Sequence, residues 1–396
     1  MRRMTASSPV PIRQPAVASR AHALWELAGV FLKLSVTGLG GPAAHIATME
    51  AELVRRRHWL AHDEFMDLLG ATYLIPGPNS TELAIHLGYL RGGGWGLVVA
   101  GVCFIVPAAL ITGLLAWLYV LYGALPQVLP ALHGMQAAVV AVVLQAVVQL
   151  GKSALKTRTQ WGIAVVALVA ALLGAPELVV VFGGGLVALP LGRARVAQGV
   201  ASIGVGFVAG TASAIGAGLP ARPSLLSLAL FFAKVGSVLY GSGYVLVAFL
   251  LRGLVAERGW LSSQMILDAV AAGQVTPGPV FTTATFVGYL LRGPSGAAVA
   301  TAAIFAPSFV LVALLTRVLS RLRRSTRMRA FLDGVNASSL SLMVAAAVAL
   351  MPQLVGSPRR LVVLLVLTVL GIFSRGRFSP SWLVLLGGLA GLLFSL

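Results

Sequence analysis

Residues 71–80 read ATYLIPGPNS, and 201 positions further on residues 272–281 read AGQVTPGPVF. Each Pro-Gly-Pro interrupts an otherwise apolar stretch. Proline has no backbone N–H to donate and clashes with the preceding helical turn, while glycine frees the backbone. Pro76-Gly77-Pro78 and Pro277-Gly278-Pro279 are therefore predicted to split their segments into half-helices. Pro78 and Pro279 suit the first position of the half-helix that follows. A single such break would read as a packing kink, which membrane helices tolerate. The same break in two copies reads as architecture.

Outward from the two breaks, the chain is written twice. At the same offset Phe31 pairs with Phe232, Lys33 with Lys234, Gly40 with Gly241, Trp59 with Trp260 and Asp67 with Asp268. One residue is then lost, and Gly88-Tyr89 meets Gly288-Tyr289, Pro107 meets Pro307 and Gly134 meets Gly334. A period near 200 is far too long for a solenoid and matches the fused two-repeat plan of secondary transporters. We divide the chain into a basic tail (1–22), a first repeat (23–194), a linker (195–222) and a second repeat (223–396). The Gly/Ala/Ser-rich stretch 199–219 carries no charge and could supply one extra crossing.

Composition sets the solvent. Of 396 residues 58% are hydrophobic and 10% are charged, whereas soluble domains carry about 25% charged residues. Apolar segments of bilayer length recur in both halves, so the fold class is all-α. We expect a polytopic membrane protein of two homologous repeats with broken or re-entrant helices and roughly 10–13 crossings. The net charge of +18 does not indicate nucleic-acid binding, because neutral blocks alternate with basic clusters as the positive-inside bias requires. The loop near 122–127 is uncharged, yet its counterpart at 317–329 holds six arginines. Lys152, Lys156 and Arg158 follow the next span. Basic residues thus sit on alternate loops of the two halves, which favours inverted repeats, with Arg359 and Arg360 counting against it. The lone cysteine, Cys103, excludes a disulfide framework and any Cys-based metal site. No Walker loop, Ser/His/Asp set or metal-ligand spacing supports an enzyme, a cofactor or a metal.

Chemistry is expected where helices break. The half-helix after each break presents free amides, from Asn79 and Ser80 in one copy and from Val280 and Phe281 in the other. The helix dipole adds roughly half a positive charge there. Such ends bind anions. Gly40-Gly41-Pro42 and Gly241-Ser242-Gly243 form a second matched pair, suited to unwound backbone or to close helix contact. Lys33 and Lys234 fall about 15 Å into their segments and are candidates to neutralise a dianion, unless those helices start later. Asp67 and Asp268 are the one acid pair preserved by the repeat, and are candidates for proton coupling or simply helix-start acids. Glu82 reads either as a capping-box acid or as a buried coupling carboxyl. Trp59 and Trp260 read as interfacial anchors.

Through these residues the sequence resembles the chromate ion transporter family in its long, two-domain form. The carrying stretches are Phe31 to Lys33, Gly40 to Ile46, Trp59-Leu60 and Pro76 to Pro78. In the second half they are Lys234, Gly241 to Val245, Glu257 to Leu261 and Gln274 to Pro279. The resemblance implies an inner-membrane carrier with oppositely oriented halves. It also implies export of chromate, or of sulfate with chromate as its mimic, driven by the membrane potential or by proton antiport. The expected partners are that oxyanion and the lipid bilayer, with a homodimer possible. A channel and a membrane enzyme acting on lipid phosphates are the readings from other classes.

Overall fold

The computed structural model describes residues 20–38, 40–191, 223–240, 243–316, 325–374 and 378–395. The expected crossing at 199–219 and most of the basic loop at 317–329 lie outside those residues. Among the described residues all regular elements are helical. The first repeat contains α1 (Arg20–Thr37), α2 (Pro42–Met49), a π-helical turn (Glu50–Arg56), α3 (His62–Thr72), α4 (Asn79–Tyr122), α5 (Leu129–Ala154), α6 (Arg158–Leu172) and α7 (Glu177–Leu191). The second contains α8 (Leu225–Val238), α9 (Val245–Leu250), a π-helical turn (Leu251–Ala256) and α10 (Ser263–Val275). It continues with a 3-10 turn (Val280–Thr282), α11 (Thr283–Leu315), α12 (Thr326–Leu350), α13 (Pro352–Val355), α14 (Pro358–Phe373) and α15 (Pro380–Phe394). The π turns recur at matched positions, so the repeat extends to local backbone geometry.

α4 is a hairpin of two arms. Gly93 has φ 61° and ψ −149°, values outside the helical region. A Cβ on Gly88 would clash with the Gly96 carbonyl and with Ala100. In a straight helix residues eight apart lie about 12 Å apart, so the chain reverses at Gly93 and glycines let the arms touch. α11 repeats this at Gly293, with φ 64° and ψ −150°, and Gly288 packs on Gly296 and Ala300. The first arm of α4 is about 20 Å long and the second, from residue 94, about 43 Å.

Side-chain contacts fix where these arms begin and end. The Arg91 guanidinium stacks on Trp59, 4.1 Å from the ring centroid, and pairs with Glu26 at 2.6 Å. Arg57 also pairs with Glu26. The start of α1, the 57–62 connector and residue 91 therefore share one face of the molecule, the near face. α1 enters from it and the arm 42–56 returns to it; α3 enters and the first arm of α4 returns. The second repeat mirrors this from the far face. There Asp268, early in α10, accepts a hydrogen bond from Tyr119 near the far end of α4. Arg252 donates to the Gly174 carbonyl between α6 and α7, and Arg360 bonds His133 at the start of α5. The halves are antiparallel, as inverted repeats require.

Four helical segments are long and apolar enough to span a bilayer on length and composition: Asn79–Tyr122, Leu129–Ala154, Val280–Leu314 and Thr326–Val355. The shorter α6, α7, α14 and α15, 15 or 16 residues each, pack beside these, and Ser379, the N-cap of α15, lies beside Gly40, at the level of the breaks rather than at a face. The remaining apolar segments are re-entrant pairs. The roughly 10–13 crossings expected from apolar length thus divide into end-to-end helices and re-entrant arms. An arm such as α3, 11 residues or about 16 Å, cannot span. α7 runs antiparallel to α12, with Gly184 against Ser338 and Ala188 against Gly334, so it ends toward the near face, while α8 begins on the far one. Arg359 and Arg360, which argued against inversion, lie on the far face, where Arg359 donates to the Phe394 carbonyl.

The halves also exchange helices. α5 packs on α15 through Gly134 against Gly387 and Gly391, and α12 packs on α7 through Gly334 against Gly184. Small residues bring these backbones into contact where lipid offers no hydrophobic drive. Apolar side chains such as Leu110, Val165, Leu230 and Val366 cover the outside.

Candidate anion site at the crossed helix breaks

The second link in each repeat depends on the first. α1 stops at Gly38, and Gly40 and Gly41 take φ values of 120° and 79°, which a side chain would resist. Pro42 then opens α2. After α3 the chain turns through Gly77, φ 137°, and Pro78, expected as the first helical residue, is instead the N-cap of α4, as Pro279 is of the turn from Val280. These breaks interlock across the halves. The Gly77 N–H donates to the Leu239 carbonyl at 2.8 Å, and the Gly278 N–H donates to the Gly38 carbonyl at 3.2 Å. Gly38 corresponds to Leu239 and Gly77 to Gly278, so one hydrogen bond is made twice about a pseudo-twofold axis. Each Pro-Gly-Pro tip is seated in the first break of the other half.

Two helix N-termini converge here. Pro78 caps α4 without a side-chain hydrogen bond, and the first internal bonds run from Thr81 and Glu82 to the Pro78 carbonyl. The Asn79 and Ser80 amides are left as the orphan donors of a helix start. In the second copy Thr282 is the first to bond back to Pro279, which leaves Val280 and Phe281 in the same role. Buried polar side chains surround the tips. His45 bonds the Gly38 carbonyl at 2.8 Å and lies 3.4 Å from Ser80 Oγ. Thr112 lies 3.0 Å from Thr282 Oγ1 and 3.3 Å from Thr276 Oγ1, across the halves. The Ser379 hydroxyl, beside Gly40, has no hydrogen-bond partner among the described residues.

Most of the breaks singled out in the sequence come together, namely Gly40, Gly41, Pro42, Pro76 to Ser80, Gly243 and Pro277 to Phe281. Gly241 and Ser242 lie outside the described residues. Gly243 is buried against Val280 and Phe281. The two lysines are placed differently from the expectation. Helical side chains lean toward the helix N-terminus, and for α1 that is toward the near face. Lys33 accordingly reaches back to Glu52, 2.9 Å away, with 46% of its side chain exposed. Lys234 is exposed on α8, within electrostatic reach of Glu177 toward the far face. Neither ammonium is seated among the breaks.

The acids separate as well. Asp67 is exposed on α3, whereas Asp268 is buried and accepts from Tyr119 and from Gln136, each at 2.9 Å. The capping-box reading of Glu82 fails because the cap residue is Pro78, which has no N–H to offer. Glu82 is instead fully buried against the Gly77 backbone, with Ser308 Oγ at 3.4 Å. Trp59 is buried at the near face, where it carries the Arg91 stack. At the near face the Glu52 carboxyl is held down to about 2 by hydrogen bonds from Arg57 and then Lys33 and Arg56, against the opposing effect of burial.

The sequence reading left His45 outside the site for want of a matched partner, and passed over Thr112, Ser308 and Ser379. Ser308 follows Pro307, as Ala108 follows Pro107. Each packs on the other half's tip glycine, Ser308 on Gly77 and Ala108 on Gly278, so the residue after the matched proline was the available signal. Among the described residues, no group of three or more His, Cys, Asp or Glu could hold a metal ion.

The chromate transporter family model matches residues 25–189 and again residues 226–392. A probable chromate transport protein of Synechococcus elongatus is 32% identical, over 94% of this chain and 96% of that protein. The chromate transport protein of Cupriavidus metallidurans is 31% identical, over 89% of each. An uncharacterized transporter of Bacillus subtilis, YwrA, is 38% identical over 80 residues that make up 45% of its own length, so that protein is about the size of one repeat. No solved structure matches the chain.

Proposed function

Because the chain belongs to the chromate transporter family, a family of membrane transport proteins, we propose that it is a secondary exporter of a tetrahedral oxyanion, chromate first among them. The observation that carries this reading is the doubled tip contact, Gly77 to Leu239 and Gly278 to Gly38. It gathers four backbone breaks and two uncapped helix N-termini between inverted repeats. Converging N-termini suit an anion, and inverted repeats with broken helices suit alternating access. A fully hydrated dianion cannot be held by apolar walls, so orphan amides and hydroxyls replace its water. Lys33 and Lys234 act at most through the long-range field, since each is directed to its own face.

Orientation follows from charge. The near face carries Arg55, Arg56, Arg57, Lys152, Lys156 and Arg158, more than the far face gathers around Arg252, Arg258, Arg359 and Arg360. By the positive-inside bias the near face is cytoplasmic in the inner membrane. The test is labelled chromate uptake into everted vesicles under an imposed membrane potential. Saturable, potential-dependent uptake is expected. Non-saturating, potential-independent flux would make the protein a channel, and full competition by sulfate would make sulfate the substrate that chromate mimics.

A further inference from the structure

Glu82 is the one buried carboxyl at the crossed breaks, and it sits where the substrate anion would go. It belongs to the first turn of α4, a helix whose Pro78 cap makes no side-chain bond. Its side chain folds back on the break, and a Cβ on Gly77 would collide with Oε1. Ser308 Oγ from the other half is 3.4 Å from Oε1. Oε2 has no hydrogen-bond partner among the described residues, and the residue is wholly buried. No Lys or Arg is within ion-pair distance of it among those residues. Tyr240, from the break after α8, lies within electrostatic reach. His45 approaches through Ser80, Asp268 is held by Tyr119 and Gln136, and Lys33 is held by Glu52.

We infer that the Glu82 carboxylate is a tethered occupant of the first-repeat anion cradle, and that the oxyanion binds there only together with a proton on Glu82. This rests on the transport reading above and specifies its coupling. Two negative charges at one helix N-terminus repel in a low-dielectric site. One proton removes the repulsion and converts the carboxylate into an O–H donor toward an oxyanion oxygen. The binding step takes up one proton and one dianion and places a net single negative charge in the site. His86, one helical turn along the same arm (i, i+4), is the relay toward the near face. It is 3% exposed and its Nδ1 is unpartnered among the described residues. The second repeat lacks this device: counted from the two breaks Thr283 matches Glu82, counted back from Gly288 it is Thr282, and both hydroxyls donate to backbone carbonyls, of Val280 and Pro279, while Phe286 stands opposite His86. Proton and anion are therefore co-ligands moving in one direction, not antiport partners. Each cycle moves one negative charge rather than two, which an inside-negative potential still drives outward.

The test uses the full chain in proteoliposomes and chromate, over the pH range in which chromate is wholly dianionic. Wild-type affinity should fall about tenfold per pH unit above the Glu82 titration, and the affinity of Glu82→Gln should be flat with pH. Glu82→Gln should lose accumulation driven by a pH gradient, whatever its rate of anion counterflow. A Glu82→Gln protein that keeps the wild-type pH profile and the pH-driven accumulation overturns the proposal. If that variant does not fold, the wild-type reversal potential decides. A shift toward positive inside potential when the interior is made more acidic supports co-transport, and no shift or a shift of the opposite sign overturns it. His86→Gln should slow pH-driven uptake at unchanged anion affinity, and unchanged uptake removes His86 from the path. Wild-type protein without any chromate counterflow would sink the transport reading itself, whereas counterflow with pH-independent binding would sink only the coupling.

Discussion

Gly278→Ala probes the interlocked tips directly. Gly278 has φ 99°, a conformation that costs an L-residue about 1–2 kcal/mol. The added methyl would lie 2.5 Å from the Ala108 Cβ, about 1 Å inside carbon–carbon contact distance. The neighbour is a rigid helix at its mid-span proline, so relief must come from the tip, at the 1–3 kcal/mol typical of overpacking. Moving the tip also stretches the Gly278 to Gly38 bond, worth about 1 kcal/mol. The sum is about 3–6 kcal/mol, enough to unfold a marginally stable protein or to splay the two tips. The assay is thermal melting of purified protein in detergent by size-exclusion retention, with chromate counterflow in liposomes. Gly162→Ala, whose added methyl meets nothing within 4 Å, is the matched control and should melt like the wild type. Gly278→Ala with wild-type melting and counterflow would refute the claim that the breaks are seated in one another.

Other outcomes follow from neighbouring contacts. Lys33→Gln should change chromate affinity less than about fivefold, because a partly exposed ion pair contributes at most about 1 kcal/mol; a loss of binding by equilibrium dialysis would return the lysine to the site. Arg91→Lys should lower the melting temperature by several degrees, since lysine cannot both stack flat on Trp59 and hold Glu26. Asp268→Ala should cost about 1–3 kcal/mol in melting assays, because it strands the Tyr119 hydroxyl and the Gln136 amide. The near-face network around Glu52 has a depressed carboxyl, so its contribution is present above the ordinary Glu range near 4.5 and is lost as pH falls through about 2. Glu52→Gln should flatten that acid limb in a pH-melting series.

The two-repeat plan was readable because rare residue types recur in register. Lys33 and Lys234, Trp59 and Trp260, and the two Pro-Gly-Pro runs need no structure to align. Inversion was half readable, from loop charges whose meaning Arg359 and Arg360 blurred. The hairpins were hidden. Gly93 and Gly293 look like ordinary loop glycines, and only the packing of Gly88 on Gly96 shows that the chain doubles back. The lysines misled for a physical reason: depth of a Cα is not depth of an ammonium, and the lean of a helical side chain carried Lys33 to Glu52. Glu82 was ambiguous because a capping box and a buried carboxyl share one spacing, and the proline at the cap decides between them. His45 and Ser308 lacked chemically matched partners in the other repeat, so a search for matched pairs could not find them.

The central claim is that the oxyanion rests at the crossed helix breaks. The most direct measurement is the chromium anomalous signal in crystals grown with chromate. The account expects a single strong peak within hydrogen-bonding distance of the Asn79 and Ser80 amides or the Val280 and Phe281 amides. A peak beside Lys33 or Lys234, with none at the breaks, would contradict it.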